Sequence, residues 1–98
     1  MAYEVRITPA AERAVAKLPG PVQVAVLDLL EELAQQPRPA GSEKVQGLAQ
    51  YDVYRIRVAT DYRVIYQVRD KVAWILVVKV ADRKEVYRRL DDLKRYLK

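Results

Sequence analysis

Ninety-eight residues suffice for one domain, 1–98, built on a single hydrophobic core. The chain holds no cysteine and no histidine. That removes disulfides, a thiol nucleophile, the commonest general base and the usual zinc sites, and leaves acid–base chemistry to Tyr, Lys, Arg or a carboxylate. The net charge of +5 is uneven, with 5 Lys+Arg against 6 Asp+Glu in residues 1–50 and 13 against 7 in residues 51–98, so the second half is expected to meet a polyanion.

The opening Met1-Ala2-Tyr3-Glu4-Val5 lacks the basic and apolar regions of a signal peptide, which points to a cytoplasmic protein. Tyr3, Val5 and Ile7 alternate with Glu4 and Arg6 and predict a short strand. Thr8-Pro9 reads as a helix start, a hydroxyl cap followed by proline at the first helical position. That helix carries Ala14, Val15 and Leu18 and must stop before Pro19-Gly20-Pro21. A second begins there, its apolar stripe running through Val22, Ala25, Val26, Leu29, Leu30 and Leu33, as a helix packed on a sheet requires. Pro37 to Ser42 is a loop, and Lys44 to Gln50 leads onward with Leu48 as a plug.

From Tyr51 to Val68 the chain alternates on a period of two. Tyr54, Ile56 and Val58 share one face of the first run; Tyr62, Val64, Tyr66 and Val68 share one face of the second. If both faces look into one core, Val58 lies opposite Tyr62 and Ala59-Thr60-Asp61 is the loop. That register sets Arg57 across from Arg63. Facing like charges destabilise a bare sheet, and an anionic ligand would reverse the sign. The run Val72 to Val78 is far short of a membrane span and marks a central strand, Val72 to Val80. With Lys79 defining an odd-numbered outward face, residues 69–71 become the connecting loop and Tyr66 falls opposite Trp74. Asp82-Arg83-Lys84-Glu85 has the spacing of a capping box. It opens a last helix with Val86, Leu90, Leu93 and Leu97 at helical spacing.

The expected order is β-α-α-β-β-β-α. This is an α+β fold: a single, mostly antiparallel four-stranded sheet, two N-terminal helices on one face, and a C-terminal helix. The uncovered face then collects Arg55, Arg57 and Arg63, with Lys79 further along, Arg83 at the strand end and Tyr87 one turn beyond it. Arginine grips phosphate in bidentate fashion and stacks on bases. Such a site can cut RNA without metal, because the ribose 2′-OH is a built-in nucleophile and guanidinium groups stabilise the phosphorane.

These residues carry a resemblance. Tyr54-Arg55-Ile56-Arg57-Val58, Asp61-Tyr62-Arg63-Val64-Ile65-Tyr66 and Val80-Ala81-Asp82-Arg83-Lys84-Glu85-Val86-Tyr87-Arg88-Arg89 are similar to the RelE family of toxins, in the wider RelE/ParE superfamily. The likeness covers nearly the whole chain and implies a microbial-RNase-type fold. It also implies a ribosome-dependent endoribonuclease that cleaves mRNA in the A site by 2′-OH attack, leaving a 2′,3′-cyclic phosphate. By resemblance, Arg55 and Arg57 hold the backbone and assist proton transfer, and Arg63 stabilises the scissile phosphate. Arg83 aids charge or leaving group, and Tyr87 stacks on the nucleotide. Lys79, Arg88 and Arg89 extend the RNA-binding surface. The family often has lysine at the first two positions, and Gly followed by His or Lys where this chain has Ala81-Asp82. The implied partners are a cognate antitoxin, the ribosome and mRNA, and operator DNA only as a complex with antitoxin. No membrane, metal or small-molecule cofactor is implied. A ParE-like inhibitor of DNA gyrase and a non-catalytic basic RNA-binding module are the competing readings.

Overall fold

The computed structural model describes residues 2–98, and of Ala49 the backbone alone. The fold is α+β. Strands β1 (Glu4–Ile7), β2 (Glu43–Lys44), β3 (Val53–Val58), β4 (Tyr62–Arg69) and β5 (Trp74–Asp82), with helices α1 (Pro9–Ala16) and α2 (Gly20–Gln35), build a sheet of order β1-β5-β4-β3-β2. Only the β1–β5 pair is parallel. The two-residue β2 is the fifth strand, added to the four expected. No helix among the described residues is long and apolar enough to cross a membrane.

Local chemistry sets the helices. Thr8 Oγ1 accepts the Ala11 amide at 3.2 Å, with Pro9 in the first turn. The chain leaves α1 at Lys17, and Pro19 precedes α2 without a side-chain cap. Val26, Leu29 and Leu33 of α2 are buried against Tyr54, Ile56, Val58, Val64, Tyr66, Val68, Ile75, Val77 and Val80. Burial of each large apolar side chain there is worth about 1.5–3 kcal/mol.

The β3–β4 hairpin has the expected register, Val58 with Tyr62 and Arg57 with Arg63. Ala59 (φ 48°) and Thr60 (φ 64°) close it in two successive left-handed conformations, which match the twist of the flanking strands but strain a β-branched threonine. The β4–β5 pairing corrects the sequence reading. Tyr66 lies opposite Val77, not Trp74, and Trp74 is half-buried opposite Arg69. Strand β4 runs on to Arg69, a 3-10 turn covers Asp70–Val72 with Ala73 left-handed after it, and the register shifts between Ile65 and Tyr66. Val78 is the extra residue of this β-bulge. Before it Ile75 and Val77 face the helices; after it Val80 does. The outward face of β5 is therefore odd-numbered only beyond the bulge.

The second face of the sheet is not bare. Val45, Leu48, Val53, Ile65, Val78, Val86, Leu93 and Leu97 form a smaller core there, with Leu48 acting as the expected plug. Residues 83–98 cross this face as a strap. The Asp82 carboxylate accepts the amides of Lys84 and Glu85, both at 2.9 Å, as a cap should. No α-helix follows, because Arg89 turns left-handed (φ 54°) and Leu90–Tyr96 is a 3-10 helix. A 3-10 helix rises about 2.0 Å per residue against about 1.5 Å for α. The longer reach carries Leu97 and the Lys98 carbonyl to the far end of the sheet, where Gln67 Nε2 bonds that carbonyl at 2.9 Å.

Candidate functional site

On the strap side a cleft of about 1020 Å³ is lined by Glu43 and Lys44 of β2, Arg55 of β3, Arg63 of β4, and Arg83, Lys84, Tyr87 and Leu90 of the strap. Alternation puts Arg55 and Arg63 on this face, and the strap returns over it because Val86 must be buried in the second core. Arg55 forms an ion pair with Glu43, its cross-strand neighbour, and its guanidinium lies 5.8 Å from the centre of the Tyr87 ring. Tyr87 is 41% exposed, free to offer its face to a base. Arg63 is held differently, Nη1 donating to the carbonyls of Thr60 and Tyr62 at 3.0 Å each. Arg83 is exposed, and its backbone amide donates to the Asp61 carbonyl at 2.8 Å, which ties the strap's root to the hairpin tip.

Arg57 does not line this cleft. It occupies an adjoining depression of about 360 Å³ shared with Arg55, Arg63, Glu43, Gly41 and Ile56. The repulsion between facing Arg57 and Arg63 is eased because Arg63 engages two carbonyls and Arg55 engages Glu43. Lys79 lies apart: its ammonium donates to the Arg88 carbonyl at 2.5 Å and lines a separate groove with Arg89 against α1. Its pKa is lowered, chiefly by burial. Arg88 pairs with Glu85 at 3.3 Å along the strap. The structure thus gathers Arg55, Arg63, Arg83 and Tyr87, sets Arg57 on the flank, and leaves Lys79, Arg88 and Arg89 outside. Among the described residues no group of His, Cys, Asp and Glu is placed to hold a metal ion.

The sequence reading did not assign Glu43, Lys44 and Lys84 to the cleft that they line. A two-residue strand has no periodicity to betray it; the one available signal was a negative charge able to stand opposite Arg55. The wall bearing Glu43 is anchored from behind. Arg38 Nη2 reaches Asp70 at 2.8 Å and Arg38 Nε reaches Tyr54 Oη at 2.8 Å, while Tyr3 Oη donates to Asp70 at 2.6 Å. These bonds hold the Asp70 carboxyl below its ordinary pKa, through Arg38 first and Tyr3 second, and raise Tyr3 and Arg38 in turn. Tyr66, pushed up to about 12 by burial, donates to the Pro37 carbonyl at 2.8 Å. Gly47 (φ 87°) then turns the chain from Val45 to Leu48 in a conformation suited to glycine.

The family described as ParE toxin of type II toxin–antitoxin system, parDE, matches residues 5–87. Toxin RelG of Mycobacterium tuberculosis is 31% identical over 90 residues, 91% of this chain and 100% of that protein. A free mutant of the E. coli toxin RelE superposes with TM-score 0.78 at 26% identity, covering 98% of both chains. A chain of the RelBE2 toxin–antitoxin complex of Mycobacterium tuberculosis superposes with TM-score 0.72 at 26% identity, covering 85% of this chain and 100% of that one.

Proposed function

The chain belongs to the ParE toxin family of type II toxin–antitoxin systems, as a RelE-like member, and on that premise we propose that it is a ribosome-dependent mRNA endoribonuclease. The observation that carries this reading is the convergence of Arg55, Arg63, Arg83 and Tyr87, from two strands and the strap, around one cleft. In the reaction the ribose 2′-oxygen attacks the adjacent phosphorus in line. Its proton passes to a base and the P–O5′ bond breaks. A 2′,3′-cyclic phosphate remains, and the 5′-oxygen leaves with a proton. Arg63, its guanidinium fixed over the hairpin tip, meets the non-bridging oxygens of the scissile phosphate. Arg83 faces the charge that grows on the leaving oxygen, Tyr87 stacks on a base, and Arg55 and Arg57 hold the flanking backbone. Fixed cationic donors are the groups best able to stabilise charge that appears only in the transition state.

The site of action is the ribosomal A site in the cytoplasm, and the outcome is arrested translation. An antitoxin is the natural partner, since relatives have been solved as toxin–antitoxin complexes; with operator DNA the chain acts only as that complex. The test is a translation extract programmed with a defined mRNA, read by primer extension. The wild type should produce A-site cuts. Arg63→Ala and Tyr87→Ala should each reduce them by about 10²–10³-fold while leaving the melting temperature nearly unchanged, because both side chains lie outside the cores. Cutting that persists in the double variant refutes the assignment.

The family's description as a ParE toxin favours one rival, a gyrase inhibitor that cuts no RNA. A supercoiling assay run beside the translation assay separates the two, because a gyrase inhibitor blocks supercoiling and leaves the mRNA uncut.

A further inference from the structure

Arg55 is the one cleft arginine with an acidic ion-pair partner among the described residues. That partner, Glu43, sits on the outermost strand and is the only carboxylate among the described residues lining the cleft. Arg63 is engaged by neutral carbonyls. Glu43 Oε2 engages Arg55 Nη2, one of the donors that a phosphate would use in a bidentate grip. We propose that Glu43 is a resident counter-ion that an incoming phosphate must displace from Arg55, so that it sets how strongly anionic a ligand must be to fill the cleft. The ligand named here rests on the RNA reading above; the displacement itself concerns any phosphate.

The exchange is physically easy. The Glu43 side chain is 61% exposed and that of Arg55 36%, and a solvent-exposed pair of this kind contributes at most a factor of about five to an equilibrium. Two-residue β2 leaves Glu43 at the sheet's edge, with open solvent to swing into. In the free protein the carboxylate neutralises Arg55 and so relieves the repulsion among Arg55, Arg57 and Arg63. Once phosphate arrives, the same carboxylate repels it until it turns away. A single weakly charged anion gains little from that exchange. A strand that meets Arg63 and Arg83 at the same time drives it.

The test compares the full-length wild type with Glu43→Gln, and with Asp91→Asn as a control of equal charge change. Asp91 pairs with Lys94 on the strap and is 91% exposed, outside the cleft. Inorganic phosphate and a cleavage-resistant 2′-O-methyl hexaribonucleotide are titrated while the arginine Nε–H resonances are followed by NMR. Glu43→Gln should bind both probes up to about fivefold more tightly, with the Arg55 signal responding at lower concentration, and cleavage at subsaturating mRNA should rise in step. Asp91→Asn should show no such gain. Equal gains in the two variants, or an Arg55 signal indifferent to Glu43→Gln, overturn the proposal. So does a loss of cleavage on the order of 10²–10⁴-fold, the mark of a proton-transfer group. If the wild type cuts no mRNA yet the phosphate titrations differ as stated, the counter-ion stands and the nuclease assignment falls.

Discussion

The two faces of the sheet are covered in different ways. On the first, α1 and α2 satisfy most of their own backbone groups, and what they give the sheet is apolar surface: Val26 and Leu33 lie against Val64, Tyr66, Ile75 and Val77, all essentially fully buried. On the second, the strap is bonded by side chains of the sheet. Gln67 takes the Lys98 carbonyl, Arg69 takes that of Tyr96 at 2.8 Å, and Lys79 takes that of Arg88. The helix face holds the fold together, while the strap face holds Arg83 and Tyr87 over the cleft. Stability and activity should therefore respond to different residues.

Substitution on each side can break that contrast. Leu33→Ala should destabilise the whole domain by about 2–5 kcal/mol in urea denaturation. Leu97→Ala should cost less and act locally, with amide exchange accelerated in residues 83–98 while β4 and β5 stay protected. A uniform loss of protection in both variants would erase the distinction. A smaller effect is expected of Gln67→Leu. It removes donors from the Tyr51 and Lys98 carbonyls, and a buried group left unpaired costs about 1–3 kcal/mol. Cleavage should fall by more than stability does, because the strap that loosens carries Tyr87; matched losses would make Gln67 merely structural. The smallest effect belongs to Asp70. Its folded pKa is depressed, so its contribution is present above the ordinary value of 3.8 and is lost as pH falls through the lower folded value. Being exposed, the cluster is worth a few tenths of a kcal/mol. Asp70→Asn should flatten the acid limb of thermal stability below pH 3.8 and leave neutral-pH cleavage intact.

Much of this was legible from residue order. The Thr8-Pro9 cap, the α2 stripe and the Val58–Tyr62 register each follow from a local rule, and the register alone brought Arg55 and Arg63 to one face. Strap residues Val86, Leu93 and Leu97 were recognised as apolar anchors, but their spacing suits an α-helix as well as the extended path that reaches Gln67. Tertiary bonds decided between them. The β4–β5 register is misread because Val72 to Val78 is apolar throughout and has no phase from which a bulge could be detected, while Lys79, which sets the phase, lies beyond the bulge. Glu43 and Gln67 were missed for a related reason. One acts through a strand too short to have a pattern, the other through carbonyls far away in sequence.

The bulge at Val78 resets the reading frame of β5. Were all nine residues of β5 paired in unbroken alternation, positions 79, 81 and 83 would continue the phase of Ile75 and Val77 and turn toward the helices. Arg83 would then leave the sheet on the side away from Arg55 and Arg63. Straightening the bulge with Val78 kept in the chain would therefore take Arg83 out of the cleft while every arginine and the tyrosine remained in the sequence; deleting Val78 removes the kink and the residue together and leaves Arg83 on the cleft side.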